Sequence, residues 1–118
     1  MTLRLLPLAL LLTAPALAQE QATPKPLSLQ QASALKCSAA FAVGATMQTR
    51  GQGGEWPALA QRGREFFVRA SAQIMDETGR TREQVAAELF GQAKQMAEPG
   101  ALASAMGPCL LLLDASGL

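Results

Sequence analysis

Apolar residues recur at helical spacing in four segments of the chain. The first runs from Ser28 to Gln48 without a proline, and its apolar side chains return every three or four residues, as on one face of an α-helix. These positions are Leu29, Ala32, Leu35, Ala39, Val43 and Met47, with Cys37 and Phe41 on an adjoining stripe. Ser28 and Gln31 have the spacing of a capping box, which predicts that the helix begins here. Alanines around the whole circumference predict a central helix that is packed from several sides.

A glycine-rich segment separates this helix from the next. "TRGQGGEW", Thr49 to Trp56, has three glycines in eight residues and predicts a loop. Pro57 suits the first turn of a second helix that extends to about Glu77, since proline lacks the N–H that would have no partner there. Gly79 predicts the left-handed residue that ends this helix.

Two shorter segments complete the pattern. Thr81 and Gln84 repeat the capping-box spacing and open a third helix, which Pro99 and the following glycine end. The last segment runs from Ala101 to about Asp114 and is apolar at helical spacing, and we expect Gly107-Pro108 to kink it or to break it into two short helices. A buried strand at "CLLLL" is the alternative, but leucine is not β-branched and nothing else in the sequence suggests a partner strand.

The first residues of the chain have the pattern of a secretory signal peptide. Arg4 precedes an apolar run that is shorter than a membrane span, and Ala16-Leu17-Ala18 fits a cleavage site after Ala18. We therefore expect a signal peptide at 1–18, a disordered lead-in at 19–27 and one domain at 28–118. The mature protein is expected in the periplasm or outside the cell, with no stable membrane insertion after cleavage.

Export changes how the two cysteines are interpreted. Cys37 and Cys109 are the only cysteines, and an even number in an oxidising compartment predicts a disulfide. Their wide separation favours a structural crosslink over a redox pair, which would place the two cysteines close in sequence. The sequence therefore predicts an all-α fold, a small bundle of four helices with the last one broken, held by one Cys37–Cys109 disulfide.

Charge and residue types exclude several functions. Of 10 basic and 9 acidic residues, only Arg4 lies in the predicted leader, so the mature chain is neutral and argues against a nucleic-acid partner. Histidine and tyrosine do not occur in the sequence, which removes the usual general base and the commonest metal ligand. Methionines are scattered without metal-site spacing. We predict no catalytic residues, no metal and no cofactor.

Three residues are the best candidates for contact with a partner or ligand. Leu111 is left over on the side of the last helix that faces away from Cys109, where either the rest of the domain covers it or it contributes to an exposed apolar patch that a second molecule covers. Trp56 either packs at the start of the second helix, near Ala60, or anchors a partner or ligand together with Glu55.

Four short segments carry a resemblance to other proteins. With "CSAAF", "GREFFVR", "MDETG" and "CLLLLD", the chain after Ser28 resembles small exported hypothetical proteins of sphingomonad-type alphaproteobacteria, a likeness that implies no known activity. Its leader, small helical domain and two distant cysteines are similar in architecture to the HdeA-type periplasmic acid-stress chaperones. We expect a non-enzymatic envelope protein that binds an unknown protein or a second copy of itself. The alternative is a small-ligand binder or carboxylate-dependent enzyme that uses the Trp56 loop.

Overall fold

Four helices account for most of the part of the chain that the structure, a computed structural model, describes, residues 24–118. They are α1 (Leu29–Thr49), α2 (Ala60–Thr78), α3 (Arg82–Met96) and α4 (Ala101–Ala115). No strand occurs in this range, which confirms the all-α class and excludes the strand alternative for "CLLLL". The predicted signal peptide, and residues 19–23 of the lead-in, lie outside the described residues.

Both predicted capping boxes are present. At the start of α1, the Gln31 amide donates to Ser28 Oγ at 3.1 Å, and the Ser28 amide donates to Gln31 Oε1 at 2.9 Å. Thr81 and Gln84 make the same pair of bonds at the start of α3, at 3.1 and 2.8 Å. Each box gives partners to backbone N–H groups that the helix itself cannot satisfy.

The second helix begins later than the sequence predicts. Its first residue is Ala60, and Leu59 is the N-cap, so Pro57 lies in the preceding loop and not in the first helical turn. The side chain of Gln48 explains the shift, because it bonds to the carbonyl of Pro57 and to the amide of Leu59 and so holds 57–59 as part of the loop. The end of α2 is as predicted, with Gly79 left-handed at φ 76°.

The predicted break in the last helix is absent. α4 continues from Ala101 to Ala115 with Pro108 inside it, so Gly107-Pro108 does not divide it into two helices. Pro108 cannot donate to the carbonyl of Ser104, one turn earlier. Ser104 and Pro108 are both exposed, so the carbonyl of Ser104 lies on the side of α4 where water can bind it. The missing hydrogen bond is therefore tolerated without a break.

The main core surrounds α1, which confirms its predicted central position. Ala39, Ala40 and Phe41 have no exposed surface. The ring of Phe41 meets that of Phe66 edge to face, with centroids 5.3 Å apart. Contacts along α1 show that α2 and α4 run antiparallel to it, while α3 runs parallel to it.

Residues Cys37 and Cys109 form the predicted disulfide. Their Cα atoms are 5.1 Å apart, and both side chains are buried in the main core. The bond joins the middle of α1 to the middle of α4 and closes a long loop that contains α2 and α3. The crosslink therefore ties the first helix to the leucine-rich last one.

Residues 24–27 pack against the rest of the domain, although the sequence predicts a disordered lead-in through Leu27. The Lys25 amide donates to the carbonyl of Thr78, and Arg80 donates to the carbonyl of Lys25. Leu27 packs on a second, smaller apolar cluster of Leu35, Ile74 and Val85. Contacts from distant residues thus order a segment whose own composition is typical of disorder.

Candidate functional site

Trp56 is half-buried and packs on the domain itself. Its ring lies so close to Gly53 that a methyl group there would come within 3.0 Å of it, and it also faces Gly44 of α1. Gly53 adopts a left-handed φ of 67°, which bends the loop so that the ring reaches the main core. Glu55, the other predicted contact residue of this loop, is exposed.

Gln48 holds this loop in place. Its side-chain Nε2 donates to the carbonyls of Gly53, Trp56 and Pro57 at 3.2, 3.4 and 2.9 Å. Its Oε1 accepts the amide of Leu59 at 3.1 Å. One amide side chain at the end of α1 therefore fixes both the loop and the start of α2. No local sequence pattern marks this role, because its partners lie up to 11 residues away.

The first of two cavities lies between α2 and α3, above α1, and we call it the α2–α3 cleft. Its volume is about 340 Å³, in the range of small-ligand sites. Arg64 is the one charged residue that lines it, and the Ser38 hydroxyl is already engaged with the carbonyl of Ala34 at 2.8 Å. Its lining comprises Ser38, Phe41, Ala42 and Ala45 of α1, Leu59, Ala60, Gly63, Arg64 and Phe67 at the start of α2, and Leu89 of α3.

The second cavity lies between α2 and α4, over the start of α1, and we call it the α2–α4 groove. Its volume is about 840 Å³, with an apolar floor and a polar rim. α4 ends about 9 Å beyond Cys109, which leaves the first turns of α1 uncovered. Its lining comprises Ser28, Leu29, Gln30, Gln31, Ser33 and Ala34 at the start of α1, Phe66, Arg69, Ala70, Gln73, Ile74 and Glu77 of α2, and Leu112, Ala115 and Ser116 at the end of α4.

Four large apolar side chains are exposed in the described part of the chain, and one of them, Leu29, lines a cavity. Leu29, 86% exposed, lines the α2–α4 groove, and Leu111, 73% exposed, lies one turn before the groove residue Ala115. Val68 lies one turn after Arg64 of the α2–α3 cleft, and Phe90 follows Leu89 on the opposite wall. Leu111 is therefore exposed, and of the two alternatives that the sequence leaves open the rest of the domain does not cover it.

Charged side chains join α2 to α4. Arg62 bonds to Asp114 at 2.9 Å and to the carbonyl of Leu118. Arg69 donates to the carbonyl of Ser116 at 2.9 Å and not to Glu65, the residue one turn earlier.

At the other end of α2, Glu77 joins this helix to α1. Gln73 donates to one of its carboxylate oxygens at 2.9 Å, and Gln31 of α1 donates to the other. These hydrogen bonds stabilise the ionised form and lower the pKa of Glu77 below its ordinary value of 4.5. Close by, Arg80 pairs with Glu88 of α3 at 3.0 Å.

The predicted site residues do not come together. Trp56 and Glu55 line neither cavity, while Leu111 lies at the edge of the α2–α4 groove. Among residues 24–118, no three His, Cys, Asp or Glu side chains converge in a way that could hold a metal ion. In the same range, no helix is long and apolar enough to cross a membrane. The sequence does not single out Arg64, because Arg62 and Glu65 on either side of it are typical of a mixed charged surface.

Comparison with known proteins adds no relative. No protein-family model matches the chain, and neither a curated protein nor a solved structure matches it.

Proposed function

We propose that this chain is an exported protein that acts by binding another protein chain through the α2–α4 groove and the leucines at its edges. One observation carries the proposal: the largely exposed Leu29 lines a groove whose floor contains Phe66 and Ile74, and a second largely exposed leucine, Leu111, lies one helical turn before the groove residue Ala115. A single exposed leucine is ordinary on a protein surface. Two exposed leucines close to an apolar floor with a polar rim are typical of a protein–protein interface.

The polar rim supports a protein partner in particular. Gln30 and Ser33 line the groove with an amide and a hydroxyl group that make no side-chain hydrogen bond to any residue from 24 to 118, so these groups can bond to the backbone of a bound segment. Arg69 and Glu77 lie eight residues apart on α2 and put opposite charges about 12 Å apart along the groove. A segment that carries a carboxylate toward Arg69 and a cation toward Glu77 would be favoured in one orientation.

Export rests on the leader and on the disulfide. The predicted signal peptide at 1–18 sends the chain out of the cytoplasm, and the buried Cys37–Cys109 bond is of the kind that persists in oxidising compartments. The protein then works in the periplasm or outside the cell. Binding without catalysis agrees with a sequence that has no histidine and no tyrosine. The resemblance to exported hypothetical proteins and to HdeA-type chaperones stays a prediction.

Site-specific photocrosslinking in the intact source cell tests this function. A benzoylphenylalanine at Leu111, and another at Leu29, should each give a discrete crosslinked band on irradiation. A band at twice the mass of the mature chain identifies a second copy, and any other mass identifies a different protein. The same probe at Glu83, which is exposed at the start of α3 and away from the groove, is the control and should give no such band. Equal labelling at all three positions, or none, contradicts the proposal.

The alternative function at the Trp56 loop gains no support from the geometry. A rigid anchor for a partner needs its ring in water, whereas this ring packs on Gly53 and on the main core. We therefore do not put it forward as a second function.

A further inference from the structure

The α2–α3 cleft is a second cavity, separate from the groove of the proposed function. Apart from the charged Arg64, the side chains that line it are apolar or small. The hydroxyl of Ser38 is not available to a ligand, because it already donates to the carbonyl of Ala34 in its own helix. Phe67, which is half-buried, supplies aromatic surface, and Ala42 and Ala45 leave room above α1. A cavity of this composition favours an apolar ligand.

The one charge of the cleft lacks a partner within the described chain. Arg62, Arg69 and Arg80 each bond to a carboxylate or a carbonyl. Arg64 makes no hydrogen bond or ion pair with any residue from 24 to 118, and its side chain stands at the mouth of the cleft. A guanidinium offers two parallel N–H groups in a geometry that suits a carboxylate.

The geometry points to a ligand with one alkyl chain and one carboxylate, bound with its chain in the α2–α3 cleft and its carboxylate on Arg64. From Ser38 to Ala45 the floor is about 10 Å long, a length that an extended chain of about eight carbons covers. Val68, one turn after Arg64, and Phe90, next to Leu89, are exposed apolar residues that follow lining residues of the cleft in sequence. The charge of Arg64 thus selects the carboxylate of the ligand, and the apolar surface of the cleft selects its alkyl chain.

Octanoate is the probe for this site, used with the oxidised mature protein below the concentration at which octanoate forms micelles. Isothermal titration should detect one site per chain. The methyl NMR signals of Leu59 and Leu89, which line the cleft, should shift, while those of Leu29 and Leu111 stay in place. Shifts confined to the groove leucines, or spread equally over all four, overturn the proposal.

Three variants separate the contributions of charge and shape. Arg64→Gln should weaken octanoate binding about tenfold, because it removes a charge-assisted pair, and should leave the binding of octanol unchanged. Arg82→Gln, an exposed arginine outside the cleft, is the matched control and should bind octanoate as the wild type does. Ala42→Leu fills the exposed floor without entering the main core and should weaken both ligands. Thermal unfolding checks that each variant is folded.

Two results would overturn this inference. Equal octanoate affinity in the wild type and Arg64→Gln would mean that the carboxylate is not recognised there. Binding to vesicles that contain anionic phospholipid, without binding to free octanoate, would mean that the surface meets a membrane and not a single alkyl carboxylate. The photocrosslinking of Leu111 reports on the other groove, so either proposal can fail while the other stands.

Discussion

Replacement of Gly63 by alanine tests how closely α1 and α2 approach each other. A Cβ at Gly63 would lie 2.8 Å from the Cβ of Phe41, whereas carbon atoms in contact normally stand about 3.5–4.0 Å apart. The obstructing atom is the first of the Phe41 side chain and cannot rotate away. The variant therefore has to separate the two helices or tilt them, and it does so beside the fully buried Phe41 ring.

The size of the effect follows from a comparison with Gly91. Gly91 is exposed in the middle of α3, and a Cβ there meets nothing within 4 Å. Gly91→Ala should stabilise the protein by about 1 kcal/mol, because alanine is the better helix former. Gly63→Ala gains the same stabilisation from helix propensity, but overpacking against Phe41 destabilises it by about 1–3 kcal/mol. The free energies of unfolding of the two variants should therefore differ by about 1–3 kcal/mol.

Urea unfolding of the oxidised mature protein, followed by circular dichroism, measures this difference. A third variant, Gly44→Ala, provides an intermediate case, since the two closest atoms to its Cβ would be the ends of flexible side chains, Leu59 Cδ1 at 2.7 Å and Met106 Cε at 3.0 Å, and the Trp56 ring would be at an ordinary contact distance of 3.5 Å. We expect the order of stability Gly91→Ala, Gly44→Ala, Gly63→Ala, from highest to lowest. If Gly63→Ala is as stable as Gly91→Ala, the close approach of α1 to α2 is refuted.

Three further predictions concern the crosslink, one carboxylate and the loop. Replacement of both cysteines by serine opens a loop with a sequence separation of 72. In the chain-entropy model this loss costs about 4 kcal/mol and lowers Tm by about 20 °C in thermal unfolding, and an unchanged Tm would contradict it. The pKa of Glu77 is lowered in the folded protein, so its contribution to stability is present above its ordinary pKa of 4.5 and is lost as the pH falls through the lowered value. The urea midpoints of the wild type and Glu77→Ala should therefore differ at pH 7 and converge in acid, and a constant difference would be evidence against this linkage. Gln48→Ala should destabilise the protein by about 1–2 kcal/mol, speed hydrogen exchange at the Leu59 amide and change Trp56 fluorescence. Gln48→Glu keeps the acceptor oxygen but loses the N–H donors, so it should restore only the protection of the Leu59 amide from hydrogen exchange. If both variants match the wild type, Gln48 does not hold the loop.

The helices could be predicted from the sequence because their signals are local. Ser28 and Thr81 lie three residues from the glutamines that complete their boxes, and Gly79 ends α2 through its own backbone conformation. The Cys37–Cys109 bond was predicted from the cellular compartment and the cysteine count, without any knowledge of distance. Signals of this kind depend on neighbouring residues or on composition, and both can be read along a single chain.

The errors have a common physical origin in contacts between distant residues. The start of α2 moves from Pro57 to Ala60 because Gln48 reaches across the loop to Leu59. The expected break in α4 is absent because the side of α4 that carries Pro108 faces solvent. Which side of α4 faces solvent depends on how this helix packs on α1. Both cavities escaped prediction for the same reason, since their existence depends on the angles between helices.

The arrangement of the helices also decides which wall of the α2–α3 cleft can move. The disulfide and the Arg62–Asp114 ion pair tie α1, α2 and α4 together. α3 buries only Val85 and Met96, near its two ends, and the residue between them that lines the cleft, Leu89, is half-buried. A helix that buries little apolar surface can shift at a small cost in free energy. We therefore expect any widening of the cleft to displace α3, which the Arg80–Glu88 ion pair holds, and to leave the crosslinked helices and the α2–α4 groove in place.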